Sequence, residues 1–290
     1  MRSSGMMNAS DYLTTVAFVL SVMAALAVIE VAVPLFVRPA TPSGRRRANL
    51  AMTLLALLFA FVLTAAVTAA AAVLPLASPG LMASTALPAT AQLVLGIVAL
   101  DFAYGYLAHR TMHMAPVLWR FHRVHHSDPF VDVTTSLRTH PVEIAWRHLW
   151  LFVTVWILGV PAAAVVTFRV LSAVNGIFEH ANIRVRPAVD TALSWVWVTP
   201  QMHKVHHSRD QAETDTNYGN LLALPDRLFG SFVPTTRALS VKYGLDDVDP
   251  AENPSFAALL AMPWRSRNGG DPAPGRLDVR TGPKASQVGG

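Results

Sequence analysis

Hydrophobic and polar positions in this chain separate into long apolar runs and short polar breaks. The run "YLTTVAFVLSVMAALAVIEVAVPLFV" covers 12–37 and is interrupted by a single charge, Glu30. Residues 48–100 carry no charged side chain at all. A membrane helix needs about 20 apolar residues to cross the hydrocarbon. The uncharged stretch therefore predicts two crossings, at 49–75 and 90–108, parted by the proline-rich "PLASPGLMASTALP". Further on, "LWLFVTVWILGVPAAAVVTF" (149–168) is again uncharged, and Gly159 with Pro161 divides 143–180 into two arms. Those arms predict a hairpin that enters and leaves on one side of the bilayer. The first run is too long for a signal peptide. The expected fold is an all-α integral membrane protein of about three full spans plus a helical hairpin.

Composition agrees with this picture. Of 290 residues, 52% are hydrophobic and 14% charged, and the mean hydropathy is positive. The net charge is +5, but the basic residues are scattered among apolar runs and form no nucleic-acid module, so anionic lipid is the expected neighbour. There is no cysteine, which excludes disulfides, iron–sulfur clusters and thiolate metal sites. Arg38, Arg45, Arg46 and Arg47 crowd the loop after the first run, whereas 76–89 is uncharged. The positive-inside rule then places that first loop in the cytoplasm of a cell or inner membrane. Counting crossings, the third span emerges on the same side at His109, and the chain beyond it forms a cytoplasmic helical cap. Three regions are expected: a transmembrane region 1–108, a region 109–264 that holds the cap and the hairpin 143–180, and a disordered tail 265–290.

The cap is where the histidines lie. The chain has eleven, and six fall in two near-identical phrases, "HRVHHS" (122–127) and "HKVHHS" (203–208). On a helix the spacing i, i+3, i+4 holds three imidazoles within about 100° of arc, so each phrase is expected to aim as one triad. His109 and His113 stack at i and i+4 on the end of the third span. His180 ends the second hairpin arm and returns to the same side, while His148 is expected to be structural. Neutral imidazoles gathered this way favour metal binding, and their number exceeds the four positions of one tetrahedral zinc, which implies two ions. No H-E-x-x-H protease motif occurs, and nitrogen-rich ligation suits a redox pair of irons, although a purified sample could carry zinc.

The series "HRTMH" (109–113), "HRVHH" (122–126), "RTHPVE" (138–143), "HAN" (180–182), "HKVHH" (203–207), "NYGN" (217–220) and "DRLFGSF" (226–232) resembles the sterol desaturase and fatty acid hydroxylase superfamily over Asp101 to Phe232. The resemblance implies membrane helices under a histidine-rich cap over two iron ions. It further implies use of O2 and two electrons to hydroxylate or desaturate a lipid such as a sterol or fatty acyl chain. By the same resemblance the metal ligands are His109, His113, His122, His125, His126, His180, His203, His206 and His207. Some branches place another histidine where Gly176 stands, which leaves that coordination position to oxygen, to water or to His140. Pro225 replaces a tryptophan common in the last motif.

Metal-bound histidines usually donate their second nitrogen to a carboxylate or carbonyl, which makes Asp101, Glu143, Glu179, Asp215 and Asp226 candidates to support the ligands. Asp101 lies inside the third span, where an ionisable residue is a functional candidate by default. Glu30 is expected to snorkel or meet Arg38, and Arg138 to hold a carboxylate such as Glu143 or touch a lipid head group. Asn217 and Tyr218 are expected to order the cap. No nicotinamide fingerprint, haem-attachment sequence or iron–sulfur cysteine set is present. The resemblance accordingly implies a separate electron donor, a ferredoxin, rubredoxin or cytochrome b5-like carrier with an NAD(P)H reductase. The rival reading is a non-enzymatic membrane metal protein, either a divalent-ion transporter or a haem carrier. A transporter would set its ligands near the bilayer midplane, and a haem carrier would need opposed single histidines rather than triads.

Overall fold

The computed structural model describes residues 9–38, 44–73, 80–82, 84–249 and 255–265. The expected disordered tail falls, from residue 266 onward, outside them. Four helices among the described residues are long and apolar enough to cross a membrane: Ser10–Ala32, Arg45–Val67, Ala89–Met114 and Ala162–His180. The chain is an integral membrane protein. No strand forms among the described residues, where pairing is limited to the isolated bridges Pro34–Ile183 and Trp197–Leu222.

The long helices are α1 (Ala9–Ala32), α2 (Arg45–Val73), α3 (Ala89–Leu100), α6 (Pro141–Leu158) and α7 (Ala162–His180). α3 runs on through a π-helical stretch, Asp101–Leu107, into α4 (Ala108–Met114), and α5 (Pro116–His126) turns back beside it. Prolines open α5 and α6 at positions where the missing N–H costs nothing. The predicted hairpin is α6 and α7. Its apex is set by Gly159, which caps α6 in the left-handed region at φ +64°, followed by Pro161 at the start of α7. At 18 and 19 residues, the arms reach about 27 and 28 Å at 1.5 Å per residue, nearly the hydrocarbon thickness.

The hairpin apex meets the loop between α2 and α3. Met82 N–H donates to Leu158 O (2.8 Å), and Gly80 lies so close that a Cβ there would sit 2.5 Å from Gly159 Cα. Around this end, Met82, Leu100, Leu151, Val160, Ala164 and Phe168 form the main apolar core. The opposite ends of the long helices support a polar layer built from short helices and loops: α8 (Pro187–Leu193), α9 (Pro200–His206), α10 (Gln211–Thr214), α11 (Leu224–Leu228) and α12 (Phe256–Ala261).

Buried ions fix this layer to the helix ends. Glu30, near the end of α1, accepts from Val133 N (2.9 Å) and Asn182 N (2.7 Å) and meets Arg38 (3.4 Å), the partner its position predicts. Arg45, the first residue of α2, is fully buried against Asp128 (2.9 Å) and Asp132. The carboxylate beside Arg138 is Asp128 (3.8 Å), not Glu143. Arg138 donates to Val124 O (2.9 Å), Asn49 Oδ1 (3.0 Å) and Ser127 Oγ, and so locks the loop that follows α5.

Candidate metal centre

The π-helical stretch ends at Leu107, two residues before His109, and α4 carries His109 and His113 on one face, as the i, i+4 spacing predicts. α5 brings His122, His125 and His126. α9 begins at Pro200, capped by the Thr199 side chain on Met202 N, and brings His203 and His206, with His207 as its C-terminal cap. His180 ends α7. All nine side chains are buried, although they come from four separate helices.

They form two adjacent groups. His109, His113, His122, His126 and His206 make one and His125, His180, His203 and His207 the other, with the ligand atoms of each within 4.8 Å of one another. The repeated phrases therefore do not aim as triads. In each phrase the i, i+4 pair serves one group and the i+3 histidine the other, and the roles are exchanged between phrases. On a helix i+4 lies about 40° to one side of i and i+3 about 60° to the other. Two such helices packed face to face can each straddle two sites, which is a physical reason for writing the phrase twice.

The nitrogen positions fit metal ions. His180 Nδ1–H donates to Gly176 O (2.6 Å), His109 Nδ1–H to Tyr218 O (2.8 Å) and His206 Nδ1–H to Thr216 O (2.7 Å). A carbonyl only accepts, so the Nε2 atoms of these neutral rings are bare lone pairs. Yet His180 Nε2 has the Nε2 atoms of His125 (3.0 Å), His203 (3.0 Å) and His207 (3.1 Å) around it. In the other group His122 Nε2 lies 3.0 Å from His109 Nε2 and 3.1 Å from His126 Nε2. Hydrogen bonds cannot satisfy so many converging lone pairs, and His113 Nε2 and His206 Nε2 are buried without any partner. Two nitrogens about 2.1 Å from one ion, at right angles, stand about 3.0 Å apart. Burial, reinforced by neighbouring charges, pushes His122, His125, His126, His203, His206 and His207 well below the ordinary imidazole pKa, which keeps them neutral and available as ligands.

The expected supporting acids divide. Glu143 Oε2 accepts from His122 Nδ1 (2.9 Å), and Asp215 Oδ1 from His113 Nδ1 (3.1 Å). Glu179 Oε1 lies 3.8 Å from both His180 Nδ1 and His203 Nε2, too far for a hydrogen bond. Asp101 and Asp226 touch no histidine. Asp101 accepts from Leu221 N (3.0 Å) and Leu222 N (2.9 Å), and Asp226 from Tyr218 N and Gly219 N (both 2.8 Å). Together they fix the segment whose Tyr218 carbonyl orients His109. His140 lies outside both groups: its Nδ1 accepts from Val142 N (3.2 Å) to cap α6, and its ring packs on Phe121 and Trp264. Sequence reasoning missed Arg147, which bonds Glu143 Oε1 (3.1 Å) at i+4, a spacing that could have shown it. It also missed Lys204, buried between the carbonyls of Val131 (3.1 Å) and His180.

The group of four is one imidazole poorer, and its α7 contributes Gly176 one turn before His180. Gly176, His125, His180, His203 and His109 border a cavity of about 150 Å³ that continues between α1, α2, α6 and α7. A Cβ at Gly176 would meet only Asn220 Nδ2, at 3.9 Å.

Residues 93–231 match the fatty acid hydroxylase family model. An ornithine lipid hydroxylase of Rhizobium tropici is 33% identical over 182 residues, 63% of this chain and 53% of its own length. The alkylglycerol monooxygenases of Xenopus tropicalis and Homo sapiens are 31% and 28% identical over 160 and 150 residues, in each case 32% of their own length. The chain thus spans about half the first relative and about a third of the others. No solved structure matches it. Residues 93–231, in which all nine clustered histidines fall, form a fatty acid hydroxylase domain of the sterol desaturase and fatty acid hydroxylase superfamily.

Proposed function

We propose that this protein is a membrane-bound non-haem di-iron oxygenase that hydroxylates a lipid. The observation that carries the reading is the pair of buried all-nitrogen groups at the end of a cavity between membrane helices. His109, His113, His122, His126 and His206 hold one iron, and His125, His180, His203 and His207 the other. Bound there, the irons supply the activation of O2 for insertion into a C–H bond. The balance is RH + O2 + 2e⁻ + 2H⁺ → ROH + H2O, with the substrate carbon oxidised and both electrons drawn from a separate ferredoxin, rubredoxin or cytochrome b5-like donor. Hydroxylation is favoured over desaturation because the relatives named above are hydroxylases and monooxygenases.

The protein's own part is to bind, orient and exclude water. Glu143, Asp215 and the carbonyls of Gly176, Thr216 and Tyr218 hold the Nδ1–H groups of His122, His113, His180, His206 and His109 outward, which fixes those five tautomers. Gly176 leaves room for a lipid chain beside the group of four. Burial of every ring keeps bulk water away from the reacting carbon. The histidine layer faces the cytoplasm, where a soluble donor and its reductase can reach it. The region before residue 109 supplies the scaffold, and 109–264 with its hairpin supplies the chemistry.

The rival metal-transport reading is less well supported, because the ligands gather at helix ends and are sealed by polar loops. The test is metal analysis of anaerobically purified protein, together with lipid mass spectrometry of cells with and without the gene. About two irons per chain are expected, falling to about one or fewer in His180→Ala and in His206→Ala, with a lipid gaining one oxygen only in wild type. Wild-type product from either variant would overturn the assignment.

A further inference from the structure

The cavity that begins at the histidines runs along one face of α7, past Gly176, Ala173 and Ser172, to Arg169. These residues sit at helical spacing, so the lining is one stripe of small side chains with a guanidinium at its far end. Arg169 is the eighth of nineteen residues in α7. It therefore stands near the middle of a helix long enough to cross the membrane. An ionisable side chain at that depth is costly and marks a site unless it is neutralised locally.

Arg169 is not neutralised. Its side-chain hydrogen bond goes to the Tyr104 hydroxyl (2.7 Å), and no carboxylate among the described residues pairs with it. The second guanidinium of the cavity, Arg147, stands on the other α-helical wall, in α6, and is matched by Glu143 (3.1 Å). Both guanidinium carbons lie over the Tyr104 ring, at 5.3 Å for Arg169 and 5.8 Å for Arg147. The remaining acid in the lining, Glu179, is ten residues further along α7, about 15 Å along the axis, and belongs to the histidine end. One positive charge is left over at the membrane-embedded end, facing a cavity rather than lipid.

We propose that Arg169 selects the substrate, binding an anionic group, a carboxylate or a phosphate ester, of the lipid whose C–H bond is presented at Gly176 and His180. The inference rests on the hydroxylase reading for the word substrate, but the binding itself does not depend on oxygen chemistry. Arg169 offers donors in a planar fork suited to either anion, and anion binding would supply the partner that the fold withholds. A neutral lipid of the same chain length would leave the cation uncompensated in a low-dielectric site.

The experiment uses the full chain as purified, in nanodiscs of phosphatidylcholine, under argon and without an electron donor, so that binding is read without turnover. Native mass spectrometry compares retention of oleate with methyl oleate, and of dioleoyl phosphatidate with dioleoylglycerol. A preference of about tenfold for the charged member of a pair is expected, the scale of one charge-assisted hydrogen-bonded contact. Preference in the first pair assigns a carboxylate and in the second a phosphate. In R169Q it should fall to within about twofold, and in R169K most of it should remain. Should R169Q fail to fold, Y104F takes its place: it keeps the charge, frees the donors that Tyr104 occupies, and is expected to raise the preference. Equal retention in both pairs, an unchanged preference in R169Q, or an unraised one in Y104F overturns the proposal. Absence of a hydroxylated lipid from cells carrying the gene, with the charge preference in nanodiscs intact, would overturn the hydroxylase reading alone.

Discussion

Glu143 shows how a single side chain links the metal groups to the rest of the fold. It is buried, accepts from His122 Nδ1 at 2.9 Å and from Arg147 Nε at 3.1 Å, and so holds one ligand and one cavity cation in register. Gln at this position keeps the shape but lacks the charge. Glu143→Gln is predicted to weaken metal binding at the group of five about 10–100-fold, measured as iron retained against a competing chelator. Asp215 performs the same service for His113, but its side chain is 21% exposed. Water can replace part of what Asp215→Asn removes, so its loss should be the smaller of the two. An equal or larger loss for Asp215→Asn would contradict the role assigned to burial.

Among the elements, the hairpin apex and the loop between α2 and α3 depend on each other through two glycines. Gly80 has φ +78°, and a Cβ there would meet Gly159 Cα at 2.5 Å, backbone that cannot swing aside. Gly80→Ala is predicted to destabilise by about 1–3 kcal/mol or more, read as a lower thermal midpoint in detergent. Little effect would mean that the apex is not held by this loop. The hairpin itself was legible, because an uncharged run broken by Gly159 and Pro161 has few other solutions. The nine clustered histidines were equally legible from spacing and motif. Their division between two groups was not, since it depends on how α5 and α9 face each other across 81 residues of sequence, from His122 to His203. Asp101 was placed in the right span, but its partners, the backbone N–H groups of Leu221 and Leu222, lie 120 and 121 residues further along the chain, where no local spacing shows them.

Taken whole, the molecule has two unlike ends, and which end faces the cytoplasm depends on fewer charges than the sequence suggests. Arg45 is consumed in a buried ion pair with Asp128, and Arg38 is partly engaged by Glu30 and Asp132, so neither acts as a free charge at the membrane surface. Arg46 and Arg47 remain exposed, and the loop at the hairpin apex offers no competing charge among residues 76–89. Between these two loops, two free arginines against none still favour a cytoplasmic histidine layer. The chain has no cysteine, so single substitutions report orientation without background. Ser84, exposed near the hairpin apex, and Ser240, exposed on the histidine layer, mark the two ends. A membrane-impermeant maleimide is predicted to label Ser84→Cys in intact cells or spheroplasts and Ser240→Cys only in inverted vesicles. The opposite pattern would put the histidine layer outside, beyond the reach of a cytoplasmic reductase, and would require an electron source on that face for the same chemistry.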